Sequence, residues 1–148
     1  MPSYAKNKKA LFDYELLETL EAGLVLSGHE VKSVRSKHIR LAGSFISIHD
    51  NAAFLTNAHI AMYRYANVKN YDPTQPRKLL LTKKQICYLT GKTHEKGLTI
   101  VPLSVYTKGR LLKMEIGIVR GKKKYDKRRI IKEREQKREI GRAMKEIN

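Results

Sequence analysis

Leu98-Thr99-Ile100-Val101-Pro102-Leu103-Ser104-Val105-Tyr106 is followed by Thr107-Lys108-Gly109-Arg110 and then by Leu112-Lys113-Met114-Glu115-Ile116-Gly117-Ile118-Val119. Two β-prone runs around a glycine-bearing turn predict an antiparallel hairpin. In the second run Lys113, Glu115 and Gly117 alternate with Met114, Ile116 and Ile118, so one face is buried and the other wet. Pro102 has no N–H to give a ladder and is expected at an edge or a bulge.

Working back from this hairpin, Thr82-Lys83-Lys84-Gln85 is a capping box. It starts a helix of roughly two turns, with Ile86 and Leu89 on the buried face, Cys87 as core filler and Gly91 at the C′ position. Residues 62 to 78 read as a long loop rich in Tyr, Asn and Pro. Phe45-Ile46-Ser47-Ile48-His49, Asp50-Asn51 and Ala53-Phe54-Leu55-Thr56-Asn57-Ala58-His59-Ile60 form a second hairpin signature around an Asx turn. His29 to His38 reads as a short amphipathic helix with Lys32, Arg35 and Lys37 on its outer face. From Asp13 to Ser27 helical and extended periods compete; Gly23 and the run Leu24-Val25-Leu26 favour one or two strands. The expected fold is mainly β: a small closed antiparallel barrel of the oligonucleotide-binding (OB) type, with five or six strands, two or three short helices and one helix inserted before the last strand pair.

The ends differ from the middle. Residues 1 to 10 read as a flexible basic arm, 11 to 119 as the barrel, and 120 to 148 as a basic C-terminal tail. The tail carries thirteen Lys/Arg against five Asp/Glu, with too few large apolar residues for a core. Such a segment does not repay its own ordering entropy in water; it is expected to be disordered when free and helix-forming on a polyanion, with Asp126 as N-cap. Tyr125 lies between Lys122-Lys123-Lys124 and Lys127-Arg128-Arg129. Phosphate contacts beside a stacking ring suit single-stranded or looped RNA.

The net charge of +17 is shared between tail and body, which points to an anionic polymer as partner and to strongly salt-dependent binding. No membrane partner is expected, for no apolar run approaches the length of a spanning helix. The single cysteine, Cys87, excludes an internal disulfide, and the N-terminus lacks the apolar stretch of a secretory signal, so a cytoplasmic location is expected. Enzyme chemistry is hard to assemble. His29, His38, His49, His59 and His94 show no metal-ligand spacing with one another or with Cys87, and Gly91-Lys92-Thr93 lacks the upstream glycine of a phosphate loop. No cofactor and no catalytic residue is expected. Glu15, Glu18, Glu21 and Glu30 are the densest acidic group. Either they are solvated residues balancing nearby Lys, or one of them orients an Arg or accepts from a base edge or sugar hydroxyl of RNA.

Asn7-Lys8-Lys9-Ala10, Asp13-Tyr14, Glu21-Ala22-Gly23-Leu24, Gly28 to Arg35, Arg77 to Leu81, Val101-Pro102-Leu103 with Tyr106, and Gly121-Lys122-Lys123 with Tyr125 to Arg128 occur in order along the chain. Together, from about residue 7 to residue 138, they closely resemble the SmpB family, the SsrA-binding proteins of bacterial trans-translation. The resemblance implies an OB-type barrel that binds transfer-messenger RNA (tmRNA) at its transfer-RNA-like domain and enters stalled ribosomes with it. Elongation factor Tu would be part of the delivered complex. It implies further that the body mimics the missing anticodon arm, and that the tail lies in the empty messenger channel near the decoding centre, against small-subunit ribosomal RNA.

On that resemblance Glu21, Leu80 and Lys113 are the expected tmRNA-binding residues, joined by Glu30, Lys32 and Arg35 of the basic helix region. Gly121, Lys122, Lys123, Tyr125, Asp126, Lys127 and Arg128 are the expected ribosome-facing tail. Gln75 stands where many relatives have Arg, and Phe45 replaces a common Tyr. The alternatives are a constitutive ribosomal or nucleoid structural protein coating nucleic acid by charge, and an RNA-processing enzyme.

Overall fold

The computed structural model describes residues 3–121 together with Lys132, Arg134, Glu135, Gln136 and Arg138, which are helical. Seven strands form one antiparallel sheet. In chain order the elements are β1 (Ser3–Lys6), α1 (Lys8–Asp13), β2 (Tyr14–Leu24), α2 (Gly28–Arg35), β3 (Ile39–Arg40), β4 (Phe45–His49), β5 (Ala52–Thr56), β6 (His59–Ile60), β7 (Arg77–Leu80), α3 (Lys83–Thr93), β8 (Leu98–Lys108) and β9 (Leu111–Gly121). The large sheet runs β1-β8-β9-β2-β7-β5-β4, and β3 pairs with β6 in a separate two-stranded ladder. The sheet curls until β4 lies against β8, wrapping one core. This is the mainly β, OB-like fold expected, with α3 in the place predicted, before the last strand pair.

The final hairpin forms the backbone of the sheet. β8 and β9 stay in register from Leu98 opposite Arg120 to Lys108 opposite Leu111, with a register shift between Pro102 and Ser104. Pro102 therefore sits at a bulge. Gly109, at φ 64°, opens the two-residue turn. The buried alternates Met114, Ile116 and Ile118 join Leu55, Ile60, Leu79, Leu89 and Ile100 in the main core. In the β4–β5 hairpin Asp50 and Asn51 both take positive φ, 49° and 59°, the pair of left-handed residues that a two-residue primed turn demands.

Several expectations are corrected. Residues 3 to 10 are not a free arm, because β1 pairs with β8 and Asn7 is buried. The Asn7 side chain accepts from Ala10 N at 3.1 Å, capping α1, and donates to the carbonyls of Pro102 (2.8 Å) and Leu41 (3.3 Å). α1 then covers a second, smaller cluster of Ala10, Val101, Leu103 and Val119. β5 stops at Thr56 because Asn57 takes φ 65°, and His59–Ile60 leaves to pair with Ile39–Arg40. The expected loop of 62 to 78 ends early, since Arg77–Leu80 is a strand bridging β5 and β2. α3 runs three turns rather than two: Gly91 lies within it and His94 is its C-cap. Cys87 is exposed, because the helix buries itself chiefly through Leu89.

Candidate nucleic-acid interface

The register of three strands assembles one open face. In β2, Glu21 pairs with Glu115 and Gly23 with Lys113; on the other side Gly23 pairs with Leu80 of β7. In β8, Tyr106 pairs with the same Lys113. Since alternate residues share a face, Glu21, Leu80, Lys113, Glu115 and Tyr106 stand together on the outside of the sheet. The expected residues Glu21, Leu80 and Lys113 are thus brought side by side from three strands. Leu80 is 58% exposed, and a Cβ added at Gly23 would come within 3.1 Å of Leu80 Cβ. Glycine there lets the leucine lie flat across β2.

Glu21 is held by its neighbours. It accepts a short hydrogen bond from the Tyr106 hydroxyl, and Lys108 Nζ lies 3.5 Å from its other oxygen. The Tyr106 bond, helped by Lys108, lowers the Glu21 pKa below its ordinary value, while burial and the carboxylate push the Tyr106 phenol up. The pair is therefore a fixed carboxylate beside a neutral phenol, on a face flanked by Lys108 and Lys113. A carboxylate so placed repels phosphate but accepts from a base N–H or a ribose 2′-OH. Tyr88 of α3 repeats the arrangement, donating to Glu18 at 2.7 Å to one oxygen and 2.5 Å to the other. Tyr106, Lys108 and Tyr88 were not among the expected site residues. Alternation with Val105 could have placed Tyr106 outward, but nothing local pairs it with a glutamate 85 residues away.

Glu30 departs from expectation. It is 3% exposed, and its carboxylate is filled by protein donors: Arg77 Nη2 at 2.7 Å and Nε at 3.0 Å, Tyr71 Oη at 3.0 Å, Gln75 Nε2 at 3.2 Å and Ser27 N at 3.2 Å. Burial alone would raise its pKa, but the bonds from Arg77 and Ser27 hold it down at about 2. Burial and the neighbouring carboxylate push Tyr71 up to about 12. Glu30 is an internal anchor for the 61–76 loop, not an exposed acceptor. Lys32 and Arg35, from the same helix, are exposed as expected. Lys32 Nζ sits 5.5 Å from the Tyr63 ring centre, and Arg35 Nη2 donates to the Arg110 carbonyl at 3.5 Å, at the β8–β9 turn.

Gly121 is the last residue of β9, paired with Tyr14, so the strand carries the chain to the threshold of the tail. Lys122, Lys123, Tyr125, Asp126, Lys127 and Arg128 lie outside the described residues. Further along, the Arg134 guanidinium lies 5.6 Å over the Phe12 ring of α1. Among the described residues no group of three His, Cys, Asp or Glu side chains is arranged to hold a metal, and no helix is long and apolar enough to cross a membrane.

A curled antiparallel sheet with an open, cation-flanked face defines a small β protein of the oligonucleotide-binding type. Residues 4–146 match the profile of the SmpB protein family. The chain is 52% identical over 142 residues to the SsrA-binding protein of Shouchella clausii, covering 96% of this chain and 91% of that protein. With the SsrA-binding protein of Chloroflexus aggregans it shares 51% over 142 residues, 95% of this chain and 90% of the relative. A solved chain from tmRNA-SmpB at the centre of the bacterial ribosome superposes with TM-score 0.68 and 44% identity, over 81% of this chain and 85% of that one. The chain belongs to the SmpB family.

Proposed function

We propose that this protein is a non-enzymatic RNA-binding adaptor that binds SsrA RNA, the tmRNA of trans-translation, and brings it to stalled ribosomes. The observation that carries this is the strand register that gathers Glu21, Leu80 and Lys113 on one exposed face. The names of its relatives as SsrA-binding proteins, and the ribosomal setting of its structural neighbour, support it. On this reading Lys113 and Lys108 meet phosphate, Leu80 packs on sugar or base, and Glu21 rewards a correctly placed N–H or 2′-OH while rejecting misregistered backbone. Lys32 and Arg35 extend the basic edge.

The finer mechanism divides the work between two surfaces, the body and the tail. The body stands in for the absent anticodon arm. The tail beyond β9, with Lys122, Lys123, Tyr125, Asp126, Lys127 and Arg128, reads the empty messenger channel near the decoding centre, and Gly121 at the end of β9 launches it. Elongation factor Tu travels in the delivered complex, and the protein works in the cytoplasm.

The test is a chain ended after Gly121, which keeps β9 whole. It should bind SsrA RNA within a few-fold of the full chain and fail to support tagging on stalled ribosomes. Loss of RNA binding on truncation would contradict the two-surface scheme. A charge of +17 would also suit a protein that coats nucleic acid, which predicts stoichiometric cosedimentation with every ribosome or with DNA. The adaptor predicts a substoichiometric amount bound to one small RNA.

A further inference from the structure

The loop between β6 and β7 carries Tyr63-Arg64-Tyr65 on a turn closed by the bond from Ala66 N to the Tyr63 carbonyl, 2.9 Å. It is anchored at both ends: Ala61 N donates to His38 O at 3.1 Å, while Tyr71 and Gln75 reach the buried Glu30 carboxylate. The two tyrosine rings meet edge to face, centres 5.6 Å apart at 68°. Each has a cation over it, Lys32 at 5.5 Å from Tyr63 and Arg64 at 5.6 Å from Tyr65. Tyr65 is nonetheless 76% exposed, so most of its ring is open to solvent. From Met62 to Tyr71 the loop holds Arg64 and Lys69 and no acidic residue.

This cluster is joined to the sheet face by contacts already described. Lys108 touches Glu21, its turn neighbour Arg110 accepts from Arg35, and Lys32, one turn earlier on α2, covers Tyr63. We propose that the RNA interface continues along this path and that Tyr65 stacks on an unpaired RNA base, with Arg64 and Lys32 on the adjoining phosphates. An open ring with Arg64 beside it and Lys32 over its neighbour Tyr63, projecting from an anchored loop, offers what an extruded base needs: a π-face at low ordering cost and positive charge for its backbone. The proposal rests on the RNA-binding function above and adds a second contact region to it.

The experiment is titration of SsrA RNA with the full-length protein at several salt concentrations, comparing wild type with Tyr65→Ala, Tyr65→Phe, Arg64→Gln and Lys113→Ala. Tyr65→Ala should weaken binding between about 5- and 150-fold, the range for loss of one base–aromatic stack, without changing the slope against salt. Tyr65→Phe should bind within about twofold of wild type, since the ring and not the hydroxyl is used. Arg64→Gln should make the slope shallower by about one phosphate. If Tyr65→Ala binds like wild type while Lys113→Ala is weakened, stacking at Tyr65 is wrong and the sheet-face function stands. If wild type itself fails to bind SsrA RNA, the function falls and the extension with it. An equal loss in Tyr65→Phe and Tyr65→Ala would overturn the stack. Thermal melting of Tyr65→Ala should match wild type, and a lowered melting point would likewise refute an exposed, ligand-facing role.

Discussion

The Glu30 carboxylate and the Arg77 guanidinium meet at 2.7 Å with both side chains almost sealed from water, linking the N-terminal turn of α2 to the first residue of β7 across 47 positions of sequence. Breaking one half of such a pair leaves a buried charge without its partner and costs about 3–5 kcal/mol. Arg77→Met should lose that much in urea unfolding. Glu30→Gln should fall in the same range, because Arg77 would lose its buried counter-charge and keep only neutral acceptors such as the Ala58 carbonyl and the Tyr71 hydroxyl.

The same pair sets an acid limit. The pKa of Glu30 is depressed from the ordinary 4.5 to about 2, so its stabilisation is complete above the unfolded value and drains away as pH falls from about 4.5 to 2. By linkage this is roughly 3 kcal/mol. Wild-type stability should therefore drop across that window in denaturant melts, and Glu30→Gln should flatten this part of the profile. In Arg77→Met the sign reverses where the stranded carboxylate takes up a proton, and mild acid should stabilise it. A wild-type profile flat between pH 5 and 2 would contradict the pairing.

Gly117 of β9 lies beneath two leucines. A Cβ built at Gly117 falls 2.7 Å from Leu16 Cδ1 and 2.9 Å from Leu103 Cδ1, both closer than side chains tolerate. These are ends of leucines and can turn, so Gly117→Ala should cost about 1 kcal/mol and Gly117→Val about 2–3 kcal/mol, at the upper end of overpacking penalties. Chemical denaturation of the two variants checks the order.

Glu21 and Tyr106 give a titration signature. The phenol bond favours the ionised carboxylate, so Tyr106→Phe should move the Glu21 pKa up toward its ordinary value, read by NMR of the side-chain carboxyl. Folding should hardly change, because the pair is exposed.

How much of this could be read beforehand depended on whether each partner lay nearby in the chain. The Leu98–Val119 hairpin, the Asp50-Asn51 turn and the Thr82/Gln85 capping box announce themselves within a few residues, and all three form. Glu21, Leu80 and Lys113 were named through the family resemblance, and their strands bring them together. β1 and β7 could not be seen, since each is four residues long and held by distant strands. Arg77 looked like a loop cation because the carboxylate that buries it is 47 residues upstream; for the same reason Glu30 looked like a surface acid. Cys87 misled in the opposite direction, as an apolar side chain on a helix that faces water.

Whether the outer sheet face is the grip for SsrA RNA is tested most directly by the double variant Leu80→Ala/Lys113→Ala. Leu80 is more than half exposed and Lys113 points outward, so the double variant should unfold within about 1 kcal/mol of wild type, as surface changes do. Its affinity for SsrA RNA should nevertheless fall by at least tenfold in a gel-shift titration. Wild-type affinity in a protein folded as well as wild type would show that the RNA is held elsewhere.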